Sequence, residues 1–292
     1  PLFFRDGSPL AGLEFWESKM IDLGDINEQL NAPSITKILK VLEIIRSPYF
    51  GAFKNLISQL QISHAEAKDN CKYLSSLKEH FTGLEAAEYE AVPDMIKPIM
   101  HVLLMIWKHS KFYNTPPSLA LLMRMLCNAI MDKSRDFLGS TEELFNLEPK
   151  EAVEKVMTVL DTCRQLKYDY YDYYRMSKTQ CEGNPWMADR GNMFKRHDAF
   201  ITRCEDLLNL CKTAKEFEKM GTVVIGGNQG SVLTNDIEGV FVEFNKTFDK
   251  MKSCGYDVLD VDEAKFDPDM TTFATAVKEL ETRIAKVLNL GF

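Results

Sequence analysis

The stretch PKEAVEKVMTVLDTCRQLKYDYYDYY, residues Pro149 to Tyr174, carries Val153, Val156, Leu160, Cys163, Leu166, Tyr170 and Tyr173 at spacings of three and four. That period puts all seven side chains on one face of an α-helix and is incompatible with the two-residue alternation of a strand. Pro149 suits a first helical turn, where its missing N–H has no intrahelical partner. Glu151 stands one turn before Lys155, a favourable pairing on the solvent side. The segment predicts a helix of about seven turns or more. So long a helix in mid-chain sets the class as all-α.

The same period extends outward in both directions. Toward the C-terminus, a helix is expected through Phe200, Cys204, Leu207, Cys211 and Ala214, and another through Ile237, Phe241, Phe244, Phe248 and Met251. Asn235 with Glu238 resembles a capping box for the second. After Asp267-Pro268, the residues Phe273, Val277, Leu280, Ile284 and Val287 follow a four-three-four-three spacing to Gly291, the pattern of a bundle seam. Toward the N-terminus, Pro116 and Pro117 open a helix through Leu119, Leu122, Met123, Leu126 and Ile130. Before it, Met100, Leu103, Leu104 and Trp107 form a helix apolar nearly all round, to be buried on more than one side. Ile35, Ile38, Leu42 and Ile45 make an amphipathic helix closed by Pro48. Two further pieces run through Phe53, Leu56, Ile57 and Leu60, and through Ala67, Cys71, Leu74 and Leu77. Gly139 to Leu147 is expected to separate two units, 1–138 and 139–292, in an elongated series of antiparallel helical bundles.

Composition agrees with this reading. Gly 15 and Pro 11 in 292 residues are about 9% of the chain against an average of about 12%, too few turn-formers for many short strands. With 45% hydrophobic and 27% charged residues the chain can bury real cores. The most apolar run, Ile99 to Trp107, contains His101 and lies between Lys97 and Lys108, so no helix spans a membrane. Seven cysteines without CxxC pairs suit a reducing compartment, cytosolic or axonemal. The chain opens at Pro1 with no Met and no signal-like sequence, and is expected to be an excerpt of a longer polypeptide. Asn245-Lys246-Thr247 is read as ordinary helix surface despite its sequon form.

Candidate chemistry is sparse. Thr222-Val-Val-Ile-Gly-Gly-Asn-Gln-Gly230 imitates a phosphate loop, yet Ile225 occupies the first glycine position of G-x-G-x-x-G, and Gly230-Ser231-Val232 lacks the lysine of a Walker motif. A tight turn between helices is the expectation. His64, His80, His101, His109 and His197 are dispersed, without a spacing that aligns metal donors on one face. Cys204 and Cys211, seven apart, fit helical burial. No nucleophile elbow or protease-like Cys/His context is present, so no catalytic, cofactor-binding or metal-binding residue is assigned. Tyr168 to Tyr174 suits either a large core or a partner surface, with packing favoured. Its Tyr residues alternate with Asp169 and Asp172, and the net charge of −8 gives no basic footprint for nucleic acid.

Several separated strings, in order, resemble the N-terminal tail of dynein heavy chains. They are Leu13-Glu-Phe-Trp16 with Gln29-Leu30, Asn70-Cys-Lys-Tyr-Leu74 followed by Leu77, and Phe112-Tyr-Asn-Thr115 leading to Leu121-Leu122 and Asn128-Ala-Ile130. Phe200-Ile-Thr-Arg-Cys-Glu-Asp-Leu207, Gly226-Gly227 with Gly230, and Asp236-Ile237 to Phe244 continue the resemblance. Ser8-Pro-Leu10 and the Tyr-Asn-Thr string look more like axonemal heavy chains, with an outer-arm type preferred. The Tyr/Asp-rich segment and Cys204 depart from the pattern.

The resemblance implies a non-catalytic tail segment of an ATP-dependent microtubule motor. ATP and magnesium would belong to a motor ring absent from these residues. Implied partners are other heavy chains, intermediate and light chains, and docking proteins on the doublet microtubule, with neither nucleic acid nor membrane among them. The implied place is the axoneme of a cilium or flagellum, after cytoplasmic preassembly, and the implied role is a stiff helical rod. A generic helical adaptor or tethering subunit of a cytosolic complex is the alternative.

Overall fold

The computed structural model describes residues 9–181, 183–227 and 230–290. Their helices are α1 (Pro9–Leu30), α2 (Pro33–Ile44), α3 (Tyr49–Ala86), α4 (Val92–His109), α5 (Pro116–Leu138), α6 (Thr141–Asn146), α7 (Pro149–Gln180), α8 (Arg190–Met220), α9 (Gly230–Lys252) and α10 (Phe266–Leu290), with a 3-10 turn at Tyr89–Ala91. Among the described residues there is no strand, so the all-α reading holds. No described helix is long and apolar enough to cross a membrane.

Several boundaries differ from expectation. The two pieces expected on either side of Gln61 form one helix, α3, of 38 residues, because no Gly or Pro interrupts residues 52–82. α2 ends at Ile44, ahead of Pro48; Arg46 turns the chain with φ 54°, and Pro48 becomes the N-cap of α3. The capping box expected at Asn235 and Glu238 is not one. α9 already begins at Gly230, so Asn235 lies inside the helix. A capping box does form at Ser140, whose hydroxyl accepts the Glu143 N–H while the Glu143 carboxylate accepts the Ser140 N–H at 2.8 Å. Ser8, Asn228, Gln229 and Gly291 lie outside the described residues.

The residues described in the spans Pro1–Ala129 and Leu166–Phe194 form one compact unit, and those in Ile130–Gln165 and Lys195–Phe292 form a second. Gly139 to Leu147, expected between units, carries α6 and falls within the second. In the first unit, α4 buries one broad face through Ile96, Ile99, Met100, Leu103, Leu104 and Trp107, while Lys97, His101 and Lys108 lie on an exposed face, so the helix is less enclosed than its apolar sequence predicts. Leu122, Met123 and Leu126 of α5, with Tyr170, Trp186 and Phe194, complete that core. The Trp107 indole donates to the Asn184 carbonyl at 2.7 Å, and the Trp186 N–H to the Ser177 hydroxyl at 3.0 Å, fixing the loop after α7.

The second unit packs Val156, Leu160 and Cys163 of α7 with Phe200, Cys204, Leu207 and Cys211 of α8. Phe217 stacks on Phe244 at 4.1 Å between centroids, and Phe273 meets Phe244 edge-on. Arg203 is only 6% exposed. It donates to the Val258 and Glu263 carbonyls at 3.3 Å each and lies 4.0 Å from the Phe266 ring centroid, pinning the irregular segment between α9 and α10.

Candidate functional site

The residues singled out in the sequence distribute as follows. Thr222 to Gly227 form an inter-helix connection in which the Ile225 N–H donates to the Thr234 hydroxyl at 3.0 Å. Gly227 has φ +96°, and a Cβ on Gly230 would sit 2.2 Å from the Ile225 carbonyl oxygen. The glycines therefore serve a close backbone approach. His197 is buried in the second unit, while His101 meets Tyr173 edge-on in the first. Among the described residues no three His, Cys, Asp or Glu side chains group as a metal site requires.

All seven cysteines are free thiols, and six are buried. Burial pushes the Cys163 and Cys211 thiols up to about 12 and raises Cys204 as well, so these groups stay protonated and unreactive at neutral pH. The Tyr-rich stretch splits between roles. Tyr170 is fully buried against Trp186 and Phe194, and Tyr173 donates to the Lys97 carbonyl at 3.2 Å, whereas Tyr168 and Tyr171 face solvent.

The feature that stands apart is a tier of the first unit with helices and no core. α1 runs antiparallel to α3: Gly24 lies beside His64, and Glu17 acts on Cys71. Beyond Leu13 no residue is fully buried until Ala67. From there on α3 packs properly, through Ala67, Cys71, Leu74, Leu77, Phe81 and Leu84.

α2 shows the consequence most clearly. Its periodic face is real, yet Ile38 and Ile45 are 47% and 64% exposed, and Val41 and Ile44 beside them 55% and 80%. Tyr49, Leu56 and Ile62 on α3 and Ile21 on α1 are exposed as well. An amphipathic helix gains most of its stability from packing its apolar face, and α2 leaves Ile38, Val41, Ile44 and Ile45 in water among the described residues. Periodicity identified this face, and α1 and α3 cover it in part: Ile35 and Leu42 are half-buried, whereas Ile38 and Ile45 stay exposed.

Asp69 was not legible as a structural residue. One carboxylate oxygen accepts the Ser110 hydroxyl at 2.6 Å and the Lys111 and Phe112 N–H groups at 2.9 and 3.3 Å, tying α3 to the turn after α4. Neither residue type nor spacing signals a link across so many residues.

Residues 4–292 match the family described as dynein heavy chain, N-terminal region 1. The chain is 35% identical over 285 residues to the flagellar outer arm dynein beta chain of Chlamydomonas reinhardtii, covering 97% of this chain and 6% of that one. It is 29% identical over 290 residues to human dynein axonemal heavy chain 17, and 31% over 292 residues to the ciliary dynein beta chain of Heliocidaris crassispina, with the same coverage in each case. The chain thus spans about 6% of the length of these relatives.

Proposed function

The chain belongs to the dynein heavy chain family, as its N-terminal region 1, and we propose that it is a tail segment of an axonemal heavy chain, serving as a helical scaffold in ciliary or flagellar motility. It joins a second heavy chain and intermediate and light chains, and helps anchor the motor to docking proteins on the doublet microtubule. The relatives named for flagellar outer arms and cilia support a place in the axoneme. ATP and magnesium serve the motor ring of the full-length protein, outside this region, and the segment itself hydrolyses nothing.

The observation that carries the scaffold role is the uncovered tier. A helix whose Ile38, Val41, Ile44 and Ile45 are all exposed is built to be finished by another polypeptide. Family membership counts against the generic adaptor.

The test is mass spectrometry of the complex co-purified from cilia by a tag on the full-length chain. A second heavy chain with intermediate and light chains is expected, and Val41→Glu with Ile44→Glu should deplete one of them. A small motor-free assembly would return the role to the adaptor. Unchanged recovery with the double variant would move the interface away from α2.

A further inference from the structure

The other exposed feature of the first unit is electrostatic and aromatic. The Arg190 guanidinium lies 4.5 Å from the Tyr174 ring centroid and 5.8 Å from that of Tyr171, and the Lys178 ammonium lies 4.6 Å from Tyr174. Two cations thus flank one ring. Among the described residues neither has a carboxylate within ion-pair distance. Asp172 is engaged by Arg175, and Asp189 points its carboxylate at the Asn192 N–H, 3.4 Å away, at the start of α8.

A pocket of about 400 Å³ opens at this point, lined by Pro116, Tyr174, Trp186, Met187, Asp189 and Arg190. Met187 is 62% exposed at its mouth, and Tyr171 and Tyr168 extend the aromatic surface. Beneath it, the Tyr170 hydroxyl and the Trp186 indole N–H are buried without a hydrogen-bond partner. Buried donors of this kind are uncommon and mark places where an acceptor is missing.

We propose that this surface docks an acidic segment of a partner protein. One carboxylate of that segment pairs with Arg190 and another with Lys178, and an adjacent apolar side chain lies on Met187 and Tyr171. The assignment rests on charge complementarity. A ring quadrupole only partly offsets the charge of a cation, whereas a carboxylate neutralises it and, at Arg190, takes the planar fork in paired hydrogen bonds. Tyr, Trp, Met and Arg are also the residues that concentrate binding energy at interfaces. The chain's net charge of −8 makes the site selective, since an acidic partner is repelled from most of the rest of the surface.

The experiment uses the whole chain with a fluorescein-labelled peptide, Glu-Glu-Leu-Glu-Glu-Phe-Glu-Glu, and its counterpart with every Glu replaced by Gln, followed by fluorescence anisotropy. Saturable, salt-sensitive binding of the Glu peptide is expected, weakened about tenfold by Lys178→Glu or Arg190→Gln, the loss expected for a charge-assisted pair. Tyr171→Ala should weaken it less. Lys178 and Arg190 are exposed, so both variants fold, as thermal melts would verify. Absence of binding, equal binding of the Gln peptide, or unchanged affinity in both charge variants would overturn the proposal.

Discussion

The Asp69 carboxylate accepts the Ser110 hydroxyl at 2.6 Å, joining the middle of α3 to the residue that ends α4. Ser110 is 3% exposed, and the same carboxylate oxygen also holds the Lys111 and Phe112 N–H groups. Asp69→Ala leaves a buried hydroxyl and two backbone donors short of their acceptor. A loss of roughly 2–3 kcal/mol is expected, given the cost of stranding donors bound to a charged group. Urea unfolding measures it; a change near zero would mean that water replaces the carboxylate freely.

Two glycines in one helix should respond with opposite signs. A Cβ at Gly230 would stand 2.2 Å from the Ile225 carbonyl oxygen, so Gly230→Ala forces the backbone of the connection apart and lowers the melting temperature. Gly239, exposed in the interior of α9, has nothing within 4 Å of its Cβ position. Gly239→Ala should therefore stabilise by about 0.5–1 kcal/mol through helix propensity alone. Differential scanning calorimetry of the pair distinguishes the close approach from a general intolerance of side chains in α9.

Much of the fold was legible because periodicity reports which face a helix buries. Val153, Val156, Leu160, Cys163, Leu166 and Tyr170 are all buried, as are Phe273, Val277, Leu280 and Ile284. Helix ends were less legible, since they depend on competing starts: Gly230 opens α9 before Asn235 can cap it. The candidate site was half legible. Ile35, Ile38, Leu42 and Ile45 declared an apolar face, but one-dimensional pattern cannot tell Ile35 and Leu42, half-buried within the chain, from Ile38 and Ile45, which stay exposed. Arg190 over Tyr174 was invisible, because a loop with its own hydrogen bonds brings the two together.

The uncovered tier predicts a contrast in stability. Val41→Glu and Ile44→Glu replace side chains already in water, so the chain alone should change by no more than about 0.5 kcal/mol. Ile99→Ala, at a position with no exposure, should cost about 2–5 kcal/mol through lost transfer energy and a residual cavity. Chemical denaturation of the three variants gives the comparison. A large loss in the α2 variants would show that the face is covered within the chain itself.

Asp206 supplies the pH test. Partial burial, followed by the nearby Asp267 charge, raises its carboxyl above the ordinary range, against the lowering effect of Arg203. A carboxyl whose folded pKa exceeds its unfolded one favours folding most when protonated, and that contribution is lost as pH rises through the folded value. At neutral pH the ionised Asp206 is therefore a penalty. Asp206→Asn, nearly the same shape without the charge, should melt higher than the unsubstituted chain at about pH 7, and the difference should vanish as pH falls below the ordinary carboxylate range. Melting curves across that window decide it. A lower melting temperature for the variant at neutral pH would mean that attraction to Arg203 outweighs both desolvation and the Asp267 charge.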